Sequence, residues 1–126
     1  MSKLFMKKSF LFVGLLALLI ACSAPNRDAI EASLAWARMS ALPESAQQIE
    51  TVIQGSMFTR EFEVSFQAEK EDIQYWLANS EGTKTATVST SGDTSVYKVV
   101  PGEGAQFARV YVDWATLTVL IQTHWS

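Results

Sequence analysis

The sequence predicts an α+β protein with an N-terminal helix, a mostly antiparallel sheet of about five or six strands, and one inserted helix. Three observations support this prediction. Two stretches place apolar residues at helical spacing, several others alternate apolar and polar residues, and turn-forming residues separate the alternating stretches. A helix followed by a strand meander with a second helix inserted is typical of the α+β class.

The first helix is predicted over residues 27–40. Asn26 can serve as its N-cap, and the two acidic residues in the first turn suit the positive end of a helix. Ile30 and Leu34 belong to an apolar set at helical spacing. Pro43 lies soon after this set, so we expect the helix to end before it.

The inserted helix is predicted over residues 69–79, which begin with acidic side chains. Ile73, Trp76 and Leu77 form an apolar stripe at spacings of three and four residues. We therefore expect Trp76 to pack in the core. Gly82 is expected to end the helix in a left-handed conformation.

The clearest strand is predicted over residues 58–66, where Phe62, Val64 and Phe66 alternate with polar residues. Glu61 and Glu63 then form the solvated side of this strand. A Ser/Thr-rich hairpin is predicted next. Its first arm lies within 83–95, it turns at 91–93, and its second arm is 94–100. Two more strands are predicted at 106–112 and 116–124.

Residues 47–54 are ambiguous between strand and helix. Their β-branched residues Ile49, Thr51, Val52 and Ile53 favour a strand, whereas the glutamines and the glutamate favour a helix. We favour the strand, with a turn leading into the next strand at 58–66.

The N-terminus has the layout of a secretory signal peptide. Lys3, Lys7 and Lys8 form a basic region, and Ser9–Ala21 is an uncharged apolar run of 13 residues. A helix of that length covers about 20 Å, whereas a bilayer core is about 30 Å thick. A signal peptide is therefore favoured over a membrane-spanning helix.

The end of this run, Leu19-Ile20-Ala21-Cys22, resembles the lipobox of bacterial lipoproteins. The resemblance implies cleavage between Ala21 and Cys22 and fatty acylation of Cys22. It also implies an outer-membrane location facing the periplasm, because Ser23 replaces the Asp that favours retention; the inner membrane stays an alternative. The expected organisation is a signal peptide at 1–21, a lipidated tether at 22–27 and a single α+β domain at 28–126.

Composition narrows the possible ligands of the mature chain. Removal of residues 1–21 would remove three lysines, leaving seven cationic against thirteen acidic side chains, a formal charge of −6. Such a domain is a poor electrostatic match for nucleic acid or for an anionic membrane surface. Cys22 and His124 are the sole cysteine and histidine, so we expect no disulfide, no metal site and no cofactor.

We consider two functional hypotheses, and neither is enzymatic. The first is a non-catalytic accessory protein that is anchored to the membrane and binds an envelope protein through an open sheet face or edge. The second is a module for cell-wall glycan or lipid, with Trp114 and Trp125 as candidate ligand contacts. His124 is expected to be an ordinary residue at a strand end.

Overall fold

The computed structural model describes residues 24–126; the predicted signal peptide and the lipidation site Cys22 lie outside the described residues. The elements in chain order are α1 (Arg27–Trp36), β1 (Gln47–Gly55), β2 (Arg60–Gln67), α2 (Lys70–Asn79), α3 (Glu81–Lys84), β3 (Thr87–Ser91), β4 (Thr94–Lys98), β5 (Phe107–Asp113) and β6 (Thr118–Trp125).

The strands form one open sheet in the order β1-β2-β6-β5-β4-β3, and every neighbouring pair is antiparallel. Helices and sheet together make the fold α+β, as the sequence predicts. The ambiguous stretch 47–54 lies in strand β1, which is an edge strand. Strand β6 comes last in chain order but pairs with β2 and β5 in the middle of the sheet.

Asn26 fixes the start of helix α1. Its side-chain Oδ1 accepts a hydrogen bond from the Ala29 N–H at 2.9 Å, which satisfies one of the free donors at the helix end. The Asn26 N–H donates to Thr51 Oγ1 on β1 at 3.0 Å. Arg27, which we expected to be the last residue of the tether, is thus the first residue of α1.

Helix α1 ends at Trp36, so the prediction that it continues to residue 40 is wrong. Arg38 adopts a left-handed conformation (φ 54°), and the Met39 N–H turns back to bond the Leu34 carbonyl at 2.8 Å. This is a Schellman ending, in which a residue other than glycine takes the left-handed position. The sequence gives no glycine to mark it.

The segment after α2 also differs from the prediction. Gly82 does not end α2 in a left-handed conformation; it lies within the short helix α3, so two helices rather than one lie between β2 and β3. The Gly82 N–H donates to the Arg38 carbonyl at 2.8 Å, and a Cβ on Gly82 would lie 1.9 Å from the Ala37 carbonyl oxygen. Glycine is required here by close packing against the end of α1.

The Ser/Thr-rich hairpin is shorter than predicted because α3 takes up its first residues. Its first arm, β3, begins at Thr87 rather than at residue 83. Ser91 and Thr94 pair across a two-residue turn, with Gly92 at φ 58° as the turn requires. The predicted turn at 91–93 is therefore confirmed.

The core lies between the helices and one face of the sheet, here called the covered face. Trp76 of α2 packs edge-to-face on Phe66, and Trp36 of α1 stacks on Phe62 of the same strand. The prediction that Trp76 belongs to the core is confirmed. The fully buried strand residues of this face are Val64, Phe66, Val110, Val112, Val119 and Ile121.

Candidate functional site

The opposite face of the sheet, here called the open face, carries a groove of about 320 Å³ across strands β1, β2, β6 and β5. None of the described helices packs on this face, since both Trp36 and Trp76 reach the other side of β2. The groove is lined by Val52, Gln54, Glu61, Glu63, Phe107, Gln122 and His124, and also borders Phe62 and Thr123, whose side chains belong to the covered face.

A histidine–carboxylate pair lies at one end of the groove. Glu61 and His124 are directly opposite each other in the β2–β6 register, and His124 Nδ1 is 2.9 Å from Glu61 Oε1. Phe107 is the partner of His124 on the other side, in β5. The hydrogen bond orients the imidazole, and both side chains stay partly exposed to solvent.

The next row of the open face is a chain of hydrogen bonds. Gln122 Nε2 donates to Glu63 Oε1 at 3.4 Å, and the Tyr111 hydroxyl donates to Gln122 Oε1 at 3.2 Å. The guanidinium of Arg109 lies 4.7 Å from the centroid of the Phe107 ring, within cation–π range. These contacts hold the polar side chains of three neighbouring strands in defined positions.

Charge is divided across the open face. Glu61 and Glu63 lie on β2, while Arg109 of β5 and Lys98 of β4, which pair with each other, lie two and three strands away. Gln122 of β6 lies between Glu63 and Arg109 in the register, and the half-buried rings of Phe107 and Tyr111 flank Arg109 along β5. Such a surface offers both signs of charge and apolar area to a ligand, which is the mixture found at protein–protein interfaces.

The structure separates the two tryptophans that the sequence suggested as ligand contacts. Trp114 is half-buried and donates its indole N–H to Ser95 Oγ at 3.0 Å. Trp125 is exposed at the end of β6. The two lie at opposite ends of the β5–β6 hairpin, about 20 Å apart for a strand of seven residues. They do not form one aromatic site.

Sequence reasoning found the outward position of Glu61 and Glu63 but missed what they contact. The alternation along β2 shows which side chains share a face. It does not show that β2 lies beside β6, about sixty residues further along the chain. His124 therefore looked like an isolated strand-end residue, and no signal within the sequence connects it to Glu61.

The part of the chain between residues 24 and 126 contains no group of three or more His, Cys, Asp or Glu residues that could hold a metal ion. Its helices are also too short or too polar to cross a membrane.

Comparisons with known proteins yield no family assignment: no family model, no curated protein and no solved structure matches this chain. The class to which the protein belongs is therefore defined by its architecture, an open six-stranded antiparallel sheet with helices on one face and a polar groove on the other.

Proposed function

We propose that this chain is a non-catalytic envelope lipoprotein, anchored in the outer membrane through Cys22 and facing the periplasm, that binds a protein partner through the open face of its sheet. The observation that carries the proposal is the groove on that face, with its ordered charges of both signs. The anchor rests on the lipobox-like Leu19-Ile20-Ala21-Cys22.

A protein partner fits the open face because the groove crosses four strands and is of mixed character. Phe107 supplies ring area, and Glu63 and Arg109 supply fixed charges in the neighbouring row of the sheet. Specificity at such an interface comes from charge complementarity, and affinity comes from burial of the central apolar groups. The alternative, a glycan or lipid module that uses Trp114 and Trp125, has weaker support because Trp114 is already engaged with Ser95.

Site-specific photo-crosslinking in cells that make the full chain tests this proposal. A crosslinking amino acid replaces Gln54, an exposed residue that lines the groove. The matched control replaces Gln74, an equally exposed glutamine on α2, on the other side of the sheet. We expect one discrete protein adduct from position 54 and none from position 74.

A charge reversal makes the test specific to the groove. Arg109→Glu should abolish the adduct from position 54 and leave the melting temperature unchanged within a few degrees, because surface charges contribute little to stability. Adducts that form only from position 74, or that contain glycan in place of protein, would contradict the proposal.

A further inference from the structure

We infer that the tip of the β1–β2 hairpin, Gly55–Arg60, contacts the lipid–water interface of the membrane that holds the anchor. The inference rests on the proposed lipid anchor and adds a second point of membrane contact, made by the folded domain itself. It assigns a role to a surface that neither the core nor the groove uses.

The tip is the most exposed apolar part of the domain. Met57 and Phe58 are 86% and 76% exposed, although they are large apolar side chains next to each other. The stretch 51–60 contains no acidic residue and ends in Arg60, whereas the predicted mature chain carries a formal charge of −6. The tip is thus apolar with a single cationic side chain, and Glu61 follows it directly, so apolar area rather than charge favours its contact with the lipid surface.

The backbone of the tip is already hydrogen-bonded within the loop. The Ser56 N–H donates to the Thr59 carbonyl at 3.2 Å, and the Phe58 N–H donates to Ser56 Oγ at 3.3 Å. The Arg60 guanidinium folds back to donate to the Ser56 and Thr59 carbonyls. Because these polar groups have partners, their removal from water costs less than it would in an open loop.

A tryptophan lies at the same corner of the sheet. Trp125 is the β6 partner of Arg60 in the strand register, and its ring is exposed. Tryptophan and arginine are side chains that favour the interfacial layer, where the ring meets apolar material and the polar group meets lipid headgroups. The corner therefore presents Met57, Phe58, Trp125 and Arg60 together.

The tether brings this corner to the membrane. Asn26, where the domain begins, is bonded to Thr51 on β1. Asn26 is four residue steps from Cys22, a reach of at most about 14 Å. Thr51 to Gly55 spans a further four residues along the strand, also about 14 Å. A lipid on Cys22 thus holds the domain with the hairpin tip within reach of the bilayer surface.

Fluorescence on the lipidated full chain tests the contact. The chain is reconstituted in vesicles of phosphatidylethanolamine and phosphatidylglycerol, and Met57→Cys is labelled with an environment-sensitive probe; Cys22 does not react because its sulfur carries the lipid. We expect a blue shift of the probe and quenching by brominated lipid. Phe58→Asp in the same background should remove both effects.

The control is Ser91→Cys, at the turn between β3 and β4, which is exposed and lies at the opposite end of the sheet. The same probe there should emit as it does in water. The Phe58→Asp chain should keep its melting temperature, because Phe58 is outside the core.

Flotation separates this inference from the proposed function. Chains that float with the vesicles while the probe at 57 stays in water would keep the anchor and overturn the tip contact. Chains that carry no lipid and do not float would overturn both. A blue shift that appears without vesicles and grows with protein concentration would indicate contact between two copies of the chain, and would also overturn the inference.

Discussion

The ring of Trp76 packs edge-to-face on Phe66, with centroids 5.4 Å apart and planes at 85°, while its indole N–H donates to the Ser40 carbonyl at 2.9 Å. One side chain thus joins α2 to strand β2 and to the loop after α1. The indole nitrogen therefore has a hydrogen-bond partner in the loop after α1, as a buried indole requires.

Trp76→Ala should therefore lower the free energy of unfolding by about 3–5 kcal/mol, since it opens a cavity and leaves the Ser40 carbonyl without its donor. Urea titration followed by circular dichroism measures this. Trp125→Ala, at an exposed strand end, should cost less than about 1 kcal/mol. Equal losses in the two variants would contradict the assignment of Trp76 to the core.

Gly82→Ala should be among the most destabilising small substitutions in the chain. Its new methyl group would lie 1.9 Å from the Ala37 carbonyl oxygen, so α3 would have to move away from the end of α1. We expect a loss of about 3 kcal/mol or more. Gly92→Asn is the control: the site is open, and asparagine tolerates its left-handed conformation. Thermal unfolding compares the two.

Two buried threonines should respond in opposite ways to replacement by valine. Thr83 Oγ1 donates to the Leu77 carbonyl at 2.6 Å, so Thr83→Val should cost about 1 kcal/mol. Thr123 Oγ1 is buried and has no hydrogen-bond partner within residues 24–126, so Thr123→Val should be neutral or stabilising by about 1 kcal/mol. Chemical denaturation of both variants measures the difference. If Thr123→Val lowers the free energy of unfolding as much as Thr83→Val does, then the Thr123 hydroxyl is hydrogen-bonded in solution.

Alkaline stability should depend on Tyr97. Burial against the core raises the pKa of its phenol above 10, because the charged form is desolvated. The unfolded chain then loses this proton first, so the contribution of Tyr97 to stability is constant below pH 10 and falls as pH rises above it. Tyr97→Phe should reduce that fall, whereas Tyr75→Phe, at an exposed site, should not. Melting temperatures between pH 8 and 11 provide the measurement.

Cys22→Ser should remove the membrane anchor without changing the domain. The cap of the first helix is Asn26, four residues further on, so we expect the substitution to leave the melting temperature of the domain unchanged. Intact-mass analysis after detergent extraction should show a fatty-acylated chain that starts at residue 22 in the natural protein. An unmodified thiol at that position would contradict the lipoprotein proposal.

Much of the fold follows from local patterns in the sequence. The alternation of Phe62, Val64 and Phe66 predicts a covered side of β2, and the stripe that contains Trp76 predicts its contact with that side. Features that depend on distant contacts were not predictable. The buried position of Gly82 depends on the end of α1, more than forty residues earlier. Local sequence patterns do not contain that contact, so they predict a helix cap instead.

The open-face site shows the same limit more strongly. Each strand reveals its own inward and outward residues, because side chains alternate along it. The groove depends on which strands are neighbours, and the order β1-β2-β6-β5-β4-β3 places the last strand between β5, which precedes it in the chain, and β2, which is distant in sequence. Glu61 and His124 therefore meet only in three dimensions.

The central position of β6 also determines how the chain can fold. Without Thr118–Trp125 the sheet would consist of two pieces with no hydrogen bonds between them, the β1–β2 hairpin and the β3–β4–β5 meander. A lone two-stranded hairpin is at best marginally stable in water, and pairing between distant segments is slow. The β1–β2 hairpin therefore depends on residues 118–125 for its stability, because only β6 joins it to the β3–β4–β5 meander.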